Sequence, residues 1–242
     1  MVLKSYAKIN LTLSVNKRLK SGLHNIQSIY CLINLHDKIF LKKNKNKNFD
    51  QVSFTGPFSK DINKSNNSVK KVLKVMRKNK IIHDYYSVKV NKKIPVFAGL
   101  GGGTGNAATL FKYFVKKKIN KKIFDKIIKE VGSDFRLFSY NFAFQKDLKF
   151  VFELNKKHRL YFLVVFPKIK SSTKSVYLRI KKYSKLKIFK KSNLNLKKDF
   201  INYLKNSKND LQLIVEKKHP IIKRLLKNIS SVKGCHLSRM TG

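Results

Sequence analysis

Four glycines crowd into five positions, Gly99, Gly101, Gly102 and Gly103, and Gly105 follows two residues later. The stretch runs Lys92-Lys93-Ile94-Pro95-Val96-Phe97-Ala98-Gly99-Leu100-Gly101-Gly102-Gly103-Thr104-Gly105-Asn106-Ala107-Ala108-Thr109. It lies after an alternating strand, Ser87 to Asn91, with Val88 and Val90 inward. It opens a helix whose inner face is Ala107, Leu110, Phe111, Phe114 and Val115. Glycines at such a junction remove Cβ atoms where backbone takes positive φ or approaches something closely. The helix behind them presents unpaired N–H groups and the positive end of its dipole, a cradle for phosphate. Thr104 adds a hydroxyl that can cap the helix or meet phosphate or Mg²⁺. The stretch lacks the Gly-Lys-Ser/Thr ending of a Walker A loop. It also lacks the Gly-x-Gly-x-x-Gly spacing with an acid about 20 residues on that marks a dinucleotide site.

Around this loop the chain reads as α+β in two lobes, strands first and helices later. Val2 to Val15 alternates as a strand. Ile26 to Leu41 is a second strand, with an expected break near Asn34 to Asp37. Lys42 to Asp50 reads as a solvent loop. Asn66 to Asn79 and Ile123 to Val131 have helical spacing, and Gly132 stops the latter. Phe142 to Leu154 and Arg159 to Phe166 read as strands, and the polar stretch between them sets an expected boundary between domains 1–155 and 156–242. Helices are expected over Lys174 to Ile180, Asp199 to Leu204, Asp210 to Glu216 and Pro220 to Ile229. A final strand is expected from Gly234 to Met240.

The charge is extreme: 56 basic and 12 acidic residues give +44. That invites a nucleic-acid reading. Yet Arg supplies only seven of the 56, and Arg is favoured for base edges and bidentate phosphate contacts. The lysines are spread along the chain among abundant Asn and Ile, the mark of an AT-rich coding sequence. Specific nucleic-acid binding is therefore not expected, although the positive field favours anionic substrates. With only twelve acids, and no His-Glu-x-x-His or paired-carboxylate motif, zinc hydrolases and glycosidases are disfavoured and no resident metal site is expected. Two distant cysteines, Cys31 and Cys235, fit a reducing compartment. The longest clean apolar run, Leu160 to Pro167, is too short for a membrane span. No signal peptide is evident, and a soluble cytoplasmic protein is expected.

The glycine segment from Pro95 through Ala108 resembles the second motif of the GHMP small-molecule kinases. Other pieces follow in that family's order. Ala7-Lys8-Ile9-Asn10-Leu11 resembles its first motif, and Gly22-Leu23-His24 with Ile26-Gln27-Ser28 resembles a substrate segment. Asp37-Lys38-Ile39 comes next. Gly132-Ser133-Asp134 resembles the segment bearing the family's catalytic aspartate. Ser172-Thr173-Lys174-Ser175-Val176-Tyr177 and Asn209-Asp210-Leu211 match later landmarks. Arg239-Met240-Thr241-Gly242 resembles the start of a third, glycine-rich motif.

The resemblance implies a GHMP fold. Its N-terminal ATP-binding lobe would be ribosomal-protein-like with a left-handed crossover. Its C-terminal ferredoxin-like lobe would be incomplete, because the chain stops inside the third motif. The implied activity is ATP-dependent phosphorylation with Mg²⁺. The nearest branch acts on the C2 hydroxyl of a cytidine-diphosphate-linked methylerythritol, on a route to isoprenoid precursors. By the same carry-over Asp134 is the catalytic base and Lys8 its partner, a lysine inside an otherwise apolar strand. Lys92, Pro95, Gly99, Leu100, Gly101, Gly102, Gly103, Thr104, Gly105 and Asn106 hold ATP. Asn66 or Asn67 falls where the family lines its adenine pocket. Asn10, His24 and Tyr177 contact the small-molecule substrate.

Several positions depart from the pattern. Leu23 replaces a tyrosine, removing a ring from the cytosine site. Ser21 replaces an aspartate. Gly105 replaces a serine, leaving Thr104 as the loop's hydroxyl, and Phe135-Arg136-Leu137 follows Asp134 in place of Val-Pro-Phe. Leu23 keeps a homoserine- or mevalonate-type kinase open, and the charge keeps a non-catalytic RNA-binding protein open.

Overall fold

A computed structural model describes residues 1–45, 47–116, 119–155, 158–169, 173–189 and 191–241. Two compact units emerge. The first comprises Met1–Lys8, Leu32–Val96 and Leu100–Asn141. The second comprises Ile9–Cys31, Phe97–Gly99 and the chain from Phe142 onward. The architecture is mixed α+β, as expected.

In the first unit, strands β1 (Val2–Asn10), β3 (His24–Asn44, from Leu32), β4 (Gln51–Thr55) and β5 (Tyr85–Asn91) make a sheet. β3 and β5 are antiparallel with Ile39 opposite Val90 and Leu41 opposite Val88. β4 runs parallel to β5, placing Val52 by Val88 and Phe54 by Val90. The two-residue period therefore aims Ile39, Leu41, Val88 and Val90 at one buried face. Helices α1 (Ser68–Lys78), α2 (Gly102–Phe114) and α3 (Lys121–Val131) cover it. α1 begins where the Asn67 side chain accepts from the Lys70 N–H at 3.0 Å, an N-cap. Its stripe Val69, Val72, Leu73 and Met76 is buried against Ala107, Ala108, Leu110 and Phe111 of α2. α3 is capped by Asn120 and stops at Gly132, where φ is +131°. A 3₁₀ helix, Ser133–Ser139, follows.

In the second unit, β2 (Ser14–Arg18) pairs antiparallel with the start of β3. On β3's other side lies β6 (Phe142–Gln145), which pairs in turn with β7 (Val151–Glu153). The helices are α4 (Thr173–Tyr177), α5 (Lys197–Lys205), α6 (Gln212–Lys218) and α7 (Pro220–Ser230). Leu13, Val15, Val176, Leu211 and Val215 form a core there.

Several expectations change. The first strand ends at Asn10, and β2 is separate. β3 has no break at Asn34 to Asp37. β4, for which the sequence gives no expectation, is a strand because β5 offers it a ladder. Phe142 to Leu154 is a hairpin and not one strand. Arg159 to Phe166 carries no regular structure, with Tyr161 79% and Leu163 81% exposed. Gly234 to Met240 is likewise not a strand. Of the quoted landmarks, Ser172 and Gly242 lie outside the described residues. Both cysteines are free, and burial pushes the Cys31 thiol up to about 12. Among the described residues no helix is long and apolar enough to cross a membrane.

The core arrangement sets a stability expectation. Leu73 is 1% exposed, so Leu73→Ala should cost about 2–5 kcal/mol through lost burial and a residual cavity. Lys74→Ala, one position on and facing solvent, should change urea stability by less than about 0.5 kcal/mol. Equal losses in urea melts would show that this stripe is not the packed face.

Candidate active site

α2 begins without help. Its N-cap is Gly101, at φ +67° and ψ 18°, and no side chain caps it. A β-carbon at Gly101 would stand 2.8 Å from the Phe138 ring, and the left-handed backbone disfavours an L side chain in any case. The first intrahelical bond is Gly105 N–H to Gly101 C=O at 2.7 Å. Gly102, Gly103 and Thr104 thus present amides for which helix geometry supplies no acceptor. No acid occupies the first turn, so the positive dipole end is not offset there.

Lys8 lies against this loop. Its backbone N–H donates to the Leu100 carbonyl at 3.0 Å. Its Cε is 3.8 Å from the β-carbon position of Gly101. The ammonium, on a side chain only 4% exposed, is 3.2 Å from Asp134 Oδ2, whose side chain is 47% exposed. Asp134 sits in the first turn of the 3₁₀ helix. The buried Phe138 at the far end of that helix is the ring that Gly101 and Gly105 face. A β-carbon at Gly105 would be 2.8 Å from it, which accounts for glycine at that position. A buried lysine and an accessible carboxylate in contact beside free amides can bind an anion, take a proton and stabilise developing negative charge.

Lys92 is placed beneath the same helix start. Its ammonium is buried, 3.1 Å from the β-carbon position of Gly102, and ion-paired with the fully buried Asp37. Burial lowers the Lys92 pKa, and the charge and hydrogen bond of Asp37 oppose that shift. Pro95 is buried and Gly99 is exposed, at φ +70°. Asn106 is buried, with its Oδ1 lacking a partner among the described residues. Asn67 is occupied in capping α1.

The expected substrate residues lie in the second unit. His24 is buried, its ring 5.0 Å from that of Tyr177 and 6.2 Å from that of Tyr183. Burial, then the charge of Arg18, lowers its pKa from 6.5. Asn10 accepts from the Ser28 hydroxyl at 3.1 Å, and its N–H donates to the Thr241 hydroxyl at 2.7 Å. Leu23 is exposed. Tyr183 is not among the expected residues and carries no signal in sequence. Asp37, expected only as part of the Asp37-Lys38-Ile39 landmark, also stands out as an acid inside an apolar strand of an acid-poor chain.

Gly101→Ala should destabilise the protein by at least about 1–2 kcal/mol from the left-handed backbone alone, with the Phe138 clash added. Urea melts check this, and a neutral result would contradict the loop geometry.

No protein-family model matches the sequence. The chain is 36% identical over 248 residues to the 4-diphosphocytidyl-2-C-methyl-D-erythritol kinase of Pelagibacter ubique, across 99% of this chain and 85% of that one. It is 34% identical to the enzyme of the same name from Ureaplasma parvum, across 92% and 86%. Among solved structures, a 4-(cytidine 5'-diphospho)-2C-methyl-D-erythritol kinase superposes with TM-score 0.62 at 19% identity, covering 96% of this chain and 83% of that one. Homoserine kinase from Cytophaga hutchinsonii superposes with TM-score 0.57 at 13% identity, covering 97% and 81%. These superpositions show a shared fold, and the sequence relatives show the family: the chain belongs to the 4-diphosphocytidyl-2-C-methyl-D-erythritol kinases.

Proposed function

We propose that this protein transfers the γ-phosphoryl group of ATP to the C2 hydroxyl of 4-diphosphocytidyl-2-C-methyl-D-erythritol, in the methylerythritol phosphate route to isoprenoid precursors. The observation that carries the reading is Lys8 in contact with Asp134 beside the uncapped start of α2. Phosphoryl transfer asks chiefly for positioning and for stabilisation of negative charge. The amides of Gly102, Gly103 and Thr104 receive polyphosphate oxygens, and Lys92, Pro95, Gly99, Leu100, Gly101, Gly105 and Asn106 shape the rest of the ATP loop. Asp134 accepts the C2 hydroxyl proton. The alcohol oxygen bonds to the γ-phosphorus as the bond to the β,γ-bridging oxygen breaks, and ADP leaves with that electron pair. Lys8 orients the Asp134 carboxylate through their ion pair and offsets charge on the transferring group.

Among the described residues no group of three His, Cys, Asp or Glu side chains could hold an ion. Mg²⁺ needs no such group, because it keeps its waters and is held largely by substrate phosphates. Thr104, partly buried in the first turn of α2, would supply a protein oxygen. Mg²⁺ when bound neutralises phosphate charge.

Asn10, His24 and Tyr177 bind the cytidine-linked alcohol. The paired rings of His24 and Tyr177 give a base an apolar face to stack on, and the lowered pKa of His24 keeps its ring neutral at pH 7. We assign residues 1–155 to the ATP-binding domain and 156–242 to the C-terminal domain.

Two measurements test the reading. Asp134→Asn should lower kcat by about 10²–10⁴-fold while leaving the KM for ATP within a few-fold. Retained activity, followed as ADP release, would remove Asp134 from the chemistry. The second concerns pH. Because the folded-state pKa of His24 lies below 6.5, the neutral ring persists down to that lowered value and charges as pH falls through it. KM for the cytidine compound should then rise on the acid side. In His24→Gln that rise should vanish, and an unchanged pH profile would place His24 outside the binding site.

A further inference from the structure

Asp37 has no role in the phosphoryl transfer described above, yet its contacts converge under the phosphate loop. It lies in β3 and is fully buried. One carboxylate oxygen pairs with the Lys92 ammonium. The other accepts the backbone N–H of Lys93 at 2.7 Å and of Ile94 at 2.9 Å. One side chain thus fixes the ammonium of Lys92 and the backbone amides of the two residues that follow it. Those residues are the floor under Gly102. The β-carbon position of Gly102 is 3.0 Å from Ile94 Cγ2, 3.1 Å from Lys92 Nζ and 3.2 Å from Ile94 Cβ. Any slackening of the 92–94 segment would move what the first helical residue of α2 rests on.

The electrostatics are unusual for a purely structural pair. A cation at a helix N-terminus opposes the dipole, and a buried ammonium loses its hydration. Both effects push Lys92 towards the neutral amine, and Asp37 opposes them. What results is an ammonium held beneath amides already positive in character. That combination has no benefit until an anion arrives above it.

Resting on the kinase reading above, we infer that Asp37 is a positioning residue for nucleotide binding, clamping Lys92 and the 92–94 backbone beneath Gly102 so that the opening amides of α2 are preset for polyphosphate. Its effect falls on ATP and not on the alcohol substrate, because the residues assigned to that substrate are held by other contacts.

The test uses the full chain and MgATP. Asp37→Asn keeps the shape and removes the charge. It should weaken MgATP binding in calorimetry by about tenfold or more, and raise the KM for ATP while the KM for the alcohol stays within twofold. Amide hydrogen exchange over residues 92–105 should quicken in the absence of nucleotide. A folded Asp37→Asn protein with lower urea stability but wild-type MgATP affinity would overturn the proposal and leave the kinase reading intact. If Asp37→Asn does not fold, Asp37→Asn with Lys92→Met removes both charges together, a change buried pairs often tolerate. It should still lose about tenfold in MgATP affinity, and wild-type affinity there would also overturn the proposal. Wild-type protein that binds no MgATP would defeat the kinase reading itself.

Discussion

A helix cannot satisfy its own first amides, and in this protein that constraint is left standing where it could have been removed. Any Ser, Asp or Asn at the N-cap of α2 would have closed the cradle. Gly101 occupies the position in left-handed geometry, with no side chain to turn inward. The surroundings then become intelligible. Lys8 is tied to Leu100 by its backbone and runs its side chain alongside Gly101. Lys92 and Ile94 support Gly102 from below. Phe138 presses on Gly101 and Gly105, and the same short 3₁₀ helix bears Asp134 at its other end. Loop, carboxylate and cation are therefore parts of one packed arrangement within the first unit.

Against 56 basic residues the chain has only 12 acids, and these few are the more telling group. Asp50 accepts from the Arg77 guanidinium through both oxygens, at 2.8 and 2.9 Å, and from the Tyr86 N–H at 2.8 Å. Asp210 accepts from the Val15 N–H and the Ser184 hydroxyl, each at 2.7 Å. Asp37 holds two amides and a lysine. Each of these carboxylates fastens backbone and is partly or wholly withdrawn from solvent. Asp134 differs: half its side chain faces solvent, and its lysine partner is the buried one. In a chain this poor in acids, that contrast suits the proton-accepting role proposed for Asp134, while the other three are committed to architecture.

Much of this was readable from the residues. α1 and α3 announce themselves through apolar stripes, and the glycine run between a strand and a helix marks the uncapped start of α2. The nearness of Lys8 to Asp134, 126 positions apart in sequence, came only from family resemblance, because nothing local encodes it. The failures have physical causes. β4 is short and half polar, so its strand character comes from the ladder that β5 supplies. Residues 160–166 are aromatic and aliphatic but carry no regular structure, since propensity without a paired edge does not make a strand. Asp37 is visible as an oddity in sequence, but its purpose emerges only when β3 brings it under the loop.

The most direct test of the central idea is ¹H–¹⁵N resonance mapping of the loop amides on titration with a non-hydrolysable ATP analogue and Mg²⁺. The account predicts the largest shifts, with slowed solvent exchange, at Gly102, Gly103 and Thr104. Saturable nucleotide binding that leaves those three amides unshifted while perturbing another face of the protein would contradict it.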